Sequence, residues 1–230
     1  MHVATKLMLA CCAAAMVGAP ASAQKTGTRI GKNVKTENVG ALTQIIAKCI
    51  MERQPKMVRT WMNILPGTDA EDKFVKTKEG EFSICTRDDQ LVFPDDQELV
   101  FQSHQFRYPV ALAIARKQLR KSNLAPAGLN PNGKAWFAAP YAALPAGSAV
   151  DHNALVLQDF GHCVASTDWR GSRALLLSEE KSGEEKAAVA ALAPVLGPCF
   201  PANSKIKLTS ASLRRALAEP VVHLLGDAGQ

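Results

Sequence analysis

The sequence predicts a mainly α-helical protein made of two tandem, disulfide-stapled helical repeats, with room for a short β-ribbon between them. Three observations carry this. Cys49 and Cys85 stand 36 positions apart, and so do Cys163 and Cys199. A shift of 114 residues lays one pair on the other. Under that shift, helix-start signals and apolar faces coincide: Thr68 with Glu71 and Ser182 with Glu185 both read as the capping box S/T-x-x-E.

The first helix of each unit runs over about 39–53 and 153–167. Leu42, Ile46, Cys49 and Ile50 recur at helical spacing, and Val156, Phe160, Cys163 and Val164 fill the same four slots. A short second helix follows over about 56–65, with Pro55 at a favoured first position, and over about 171–178. The third opens at the capping box. In the second unit it is alanine-rich over 184–192 and is expected to end at Pro194; in the first it is expected to stop near Gly80. The second cysteine then falls in a turn. Extended pieces follow at 90–93 and 205–209, of which Lys205-Ile206-Lys207-Leu208 alternates as a half-buried strand does. Last helices open at the N-cap residues Asp95 and Thr209, with Leu99 and Leu213 at the same offset and Pro109 and Pro220 limiting or kinking them.

The chain divides accordingly. Residues 1–23 read as a signal peptide: Lys6, the apolar run 7–18 and the cleavage site Ala21-Ser22-Ala23. Residues 24–37 form a basic, flexible arm, 38–123 the first helical repeat, 124–150 a Pro/Gly/Ala-rich connector and 151–230 the second repeat. The connector carries Pro126, Pro131, Pro140 and Pro145, and Trp136, Phe137 and Tyr141 are its candidate anchors. Cleavage would remove Cys11 and Cys12, leaving four cysteines in an oxidising compartment, where disulfides are the default. Of the three possible connectivities, the repeat argues for Cys49–Cys85 with Cys163–Cys199.

Several functions are disfavoured. The serine-hydrolase elbow G-x-S-x-G is missing. No histidine of the mature chain has another within four residues, so no H-E-x-x-H zinc motif exists, and no C-x-x-C or calcium loop occurs either. No cofactor signature is found. Adjacent acids such as Asp95-Asp96 and Glu184-Glu185 fit helix starts better than a glycosidase pair. Loss of Lys6 leaves 26 basic against 21 acidic residues, a mild excess without a compact basic run, and in an exported protein's compartment nucleic acid is not expected as a partner. No later segment is long and apolar enough for a transmembrane helix. Arg59 and Arg173 are the equivalent charged positions outside the caps, and they are candidates for contact with an anion or partner, or for an internal salt bridge or helix-end contact.

Asp159-Phe160-Gly161-His162-Cys163, Arg173-Ala174-Leu175-Leu176 and Leu196-Gly197-Pro198-Cys199 resemble small exported four-cysteine proteins of sphingomonad-type bacteria. The first unit departs from that pattern, with Thr60-Trp61-Met62 for Ala-Leu-Leu and no glycine before Cys85. The resemblance implies export and paired cysteines and brings no activity with it.

The expected function is therefore a non-catalytic binding or structural protein of the periplasm or cell exterior, with an unknown protein or envelope partner. Two alternatives stand. One is a hydrolase-type enzyme with its site between the repeats, using His104 or His162. The other is a cationic protein that adheres to the envelope through Lys25, Arg29, Lys32 and Lys35.

Overall fold

The computed structural model describes residues 36–86, 103–201 and 208–226. Ten helices occur there and no strand: α1 (Thr36–Arg53), α2 (Pro55–Met62), α3 (Asp69–Thr77), α4 (Glu79–Ser83), α5 (Ser103–Lys121), α6 (Ala138–Ala142), α7 (His152–Thr167), α8 (Trp169–Leu177), α9 (Gly183–Cys199) and α10 (Ser210–Leu224). The segment read as a signal peptide, most of the arm, Asp95, Leu99, the extended piece 90–93 and all but the end of 205–209 lie outside the described residues.

Helix α5 is the spine. It packs against α1 on one side and α10 on the other, and α10 packs in turn on α7. Helix α8 bridges α5, α7 and α9. One buried cluster runs through all of these, from Ile46, Ile50 and Trp61 through Val110 and Leu119 to Phe160, Leu175, Leu192 and Leu217. The two halves of the chain thus share one apolar core.

The disulfides form as the spacing predicts, Cys49–Cys85 and Cys163–Cys199, with Cα–Cα distances of 5.8 and 5.6 Å. Such cross-links accord with an oxidising, non-cytoplasmic compartment. Among the described residues no helix is long and apolar enough to cross a membrane.

The caps also form. The Thr68 and Ser182 hydroxyls accept the amides of Glu71 and Glu185, and Thr209 with Ser212 closes a capping box on α10. Asp151 and Asp168 cap α7 and α8, so both start slightly earlier than apolar periodicity alone placed them. At Gly67 and Lys181, 114 positions apart, the backbone turns left-handed, with φ of 70° and 63°. Each of these residues directs its amide to the carboxylate of the glutamate four positions on.

Three expectations are corrected. Helix α9 does not end at Pro194; it runs through Pro194 and Pro198 to Cys199. Each proline forfeits a backbone hydrogen bond, but Leu192 and Cys199 are buried in the core and the disulfide ties the helix end to α7. The second cysteine of that half therefore sits at a helix end, whereas Cys85 does lie in a turn. Val156 is 36% exposed and Leu155 is buried in its place.

Two smaller differences accompany these. The third helix of the first half is split into α3 and α4, with Gly80 inside the latter. The connector contains one short helix, α6. The connector is pinned by Trp136, whose indole N–H donates to Gln158 at 2.7 Å and whose ring stacks on His223 at 3.9 Å.

Candidate functional site

Two buried arginines organise the polar interior. Arg107 on α5 is 2% exposed. Its Nε bonds both oxygens of Glu219 on α10 at 2.9 Å. Its Nη1 donates to Glu71 Oε1 and the Trp61 carbonyl, both at 3.0 Å, and its Nη2 to the Met62 carbonyl at 2.8 Å. Glu71 is fully buried and also takes the Trp61 indole N–H at 2.9 Å. Burial alone would raise the Glu219 carboxyl, but the Arg107 guanidinium, with His223 beside it, overrides this and holds the pKa at about 2.

Arg214 on α10 is 1% exposed and makes a similar set of contacts in the other half. It bonds the Leu175 carbonyl at 3.3 Å, both the carbonyl and the hydroxyl of Ser178, and Glu185 at 2.8 Å. Arg116 adds bonds to the Leu176 and Ser178 carbonyls. These arginines therefore satisfy the carbonyls that end α2 and α8, groups a helix cannot pair by itself. Sequence reasoning assigned Glu71 and Glu185 to capping and passed over Arg107 and Arg214. The available signal was an arginine at an apolar register position, as in Leu213-Arg214-Arg215-Ala216-Leu217.

Two cavities border α10. The first, of about 200 Å³, lies over the Arg107–Glu219 pair and is lined by Tyr108, Asp151, Leu157, Gln158 and Arg215 among others. Asp151 Oδ1 already accepts two amides at the start of α7, and both oxygens of Glu219 face Arg107. Burial pushes the Tyr108 hydroxyl up, outweighing the nearby Arg214.

The second cavity, of about 270 Å³, is formed by Arg59, Met62 and Asn63 from the end of α2, by Ile114 and Gln118 of α5, by Val222 and His223 of α10, and by Gly226. Arg59 is exposed, and its side chain makes no hydrogen bond or ion pair among the described residues. Gln118 Oε1 and His223 Nε2 are buried atoms without a hydrogen-bond partner there. His223 Nε2 stands 3.8 Å from Glu219, close enough for charge attraction but beyond hydrogen-bond reach.

The structure separates the residues that sequence equivalence joined. Arg173 is half-buried and donates to the Leu119 carbonyl at 3.0 Å and to Asn123 Oδ1 at 2.7 Å, holding the end of α5. Arg59 instead borders the second cavity. His162 is buried on α7 with its Nε2 unpartnered, and its neighbour Cys163 is bonded to Cys199, so the two form no free thiol–imidazole pair. His104 belongs to α5. Among the described residues no group of acids, histidines and cysteines is arranged to hold a metal ion. Comparison with protein-family models, with curated proteins and with solved structures finds no match.

Proposed function

We propose that the chain is an exported binding protein of the periplasm or cell exterior, built from two copies of a disulfide-stapled helical unit, with its ligand seated beside α10. The observation that carries this reading is the pair of cavities along α10. Their walls come from both halves of the chain and join apolar side chains to fixed polar groups, the usual composition of a ligand site. The disulfides and the buried arginines supply the rigidity that keeps such cavities open.

Duplication is supported by matching details 114 positions apart: the disulfides, the left-handed Gly67 and Lys181, the caps Thr68 and Ser182, and the buried Glu71 and Glu185. Trp61 and Leu175 are also 114 apart, and their carbonyls are bonded by Arg107 and Arg214. Those arginines stand 107 apart, so the second unit reaches its last helix seven residues sooner. Leu213 then corresponds to Phe106, which is buried like it, rather than to Leu99.

A hydrolase site between the halves has less support. Among the described residues the histidine nearest a buried carboxylate is His223, and Arg107 occupies both oxygens of that carboxylate. The test is native mass spectrometry of the chain recovered gently from its own host's envelope fraction. The expected result is a discrete added mass that dissociates on unfolding. A bare chain that also takes up nothing from the host's small-molecule extract would overturn the binding reading.

A further inference from the structure

We infer that the cavity between α2, α5 and the end of α10 binds a small organic carboxylate, with Arg59 as its anion contact. This rests on the binding-protein reading and names its ligand class.

Charge comes first. Arg59 is the permanently charged group of this lining, and none of the lining residues is an acid. Around Arg107 and Arg214 every guanidinium is matched by a buried carboxylate. At Arg59 no such match exists among the described residues.

The molecule contains its own comparison. Arg173, 114 positions on, finds two oxygen acceptors, the Leu119 carbonyl and Asn123 Oδ1. Arg59 faces a cavity where those oxygens would be. A carboxylate presents two oxygens in the geometry a guanidinium fork matches.

Unmet hydrogen bonding points the same way. A buried polar atom without a partner is costly and uncommon in native structures. Gln118 Oε1 and His223 Nε2 are two such atoms, and both residues line the same cavity. The Gln118 amide can turn to present either its donor or its acceptor, and His223 can donate from Nε2 in the matching tautomer. The His223 ring is held in place by its stack on Trp136. Met62, Ile114 and Val222 supply apolar wall for the rest of the ligand. An apolar cavity of about 150 Å³ accommodates benzene, so 270 Å³ has room for a ring or short chain bearing one carboxylate.

The test follows the indole N–H signals of Trp61, Trp136 and Trp169 by NMR while the full chain is titrated with benzoate or hexanoate. Benzyl alcohol and inorganic phosphate serve as the neutral and the purely anionic comparison. Saturable shifts centred on Trp136 are expected with a carboxylate. Arg59→Gln is expected to weaken binding roughly tenfold to a hundredfold, as loss of one charged hydrogen-bond partner does. Its Tm should stay within about 2 °C of the parent, as for an unpartnered surface residue.

The inference fails if neither carboxylate gives saturable shifts at millimolar concentration, or if phosphate binds as tightly as they do. It also fails if Arg59→Gln binds like the parent, or lowers Tm as far as Arg173→Gln does, which would make Arg59 a helix-end contact. A bound mass in the native spectrum beside silent carboxylates would sink the ligand class and leave the binding reading standing.

Discussion

Replacing Arg107 by methionine is the sharpest perturbation of this core. The change keeps the volume of the stem and removes the one cation that Glu71 and Glu219 share. Removing one partner of a buried ion pair costs about 3–5 kcal/mol, because the opposite charge is left uncompensated. Two carboxylates are stranded here, so the upper end, about 5 kcal/mol, is expected against a typical total of about 5–15 kcal/mol.

Acid supplies an internal control. In the parent, Glu219 has its pKa lowered to about 2. Its contribution is present above the unfolded value near 4.5 and is lost as pH falls toward 2. That depression corresponds to on the order of 3 kcal/mol. Without Arg107, burial is the dominant influence and raises the carboxyl, so the variant takes up its proton readily as pH falls. The stability gap between parent and variant is therefore widest at pH 7 and narrows as pH falls through about 4.5 toward about 2. Urea unfolding at a series of pH values measures it. Adding Glu219→Leu to Arg107→Met should recover part of the loss, since one stranded charge is gone. A gap below about 1 kcal/mol at pH 7, or one that does not change with pH, would refute the reasoning.

Three further outcomes are expected. Gly161→Ala should cost about 2–3 kcal/mol in thermal unfolding, because the new methyl would overlap the Ala216 carbonyl where α7 crosses α10. Lys181→Gly should raise stability by about 0.5 kcal/mol, since a left-handed backbone at φ of 63° suits glycine and already has glycine at position 67. Replacing Cys163 and Cys199 together by alanine should cost about 4 kcal/mol in the chain-entropy model, read as a lower urea midpoint.

The parts of this structure that were legible in the sequence are those set by local chemistry or by spacing. Equal separations gave the cysteine pairing, and hydroxyl residues three positions before a glutamate marked the starts of α3 and α9. The prolines misled because proline sets a local cost that tertiary contacts can exceed: Leu192 and Cys199 hold α9 in place across Pro194. Val156 misled because periodicity fixes a face only to within a residue or so, and Leu155 took the buried side.

The candidate site was only half legible. Arg59 stood out by standing 114 positions before Arg173, yet sequence could not tell that Arg173 finds two oxygens and Arg59 a cavity. That difference depends on helices far apart in the chain, α2 against α10 and α8 against α5. The role of Arg107 was hidden for the same reason, since Glu219 lies 112 positions away.

The most direct test of the account is intact-mass analysis, without reductant, of the chain recovered from outside the host's cytoplasm, followed by peptide mapping. The account predicts a chain that begins at Gln24, is lighter by four hydrogens, and yields cross-linked peptides joining Cys49 to Cys85 and Cys163 to Cys199. Four free thiols, a different pairing, or a chain retained in the cytoplasm with residues 1–23 attached would contradict it.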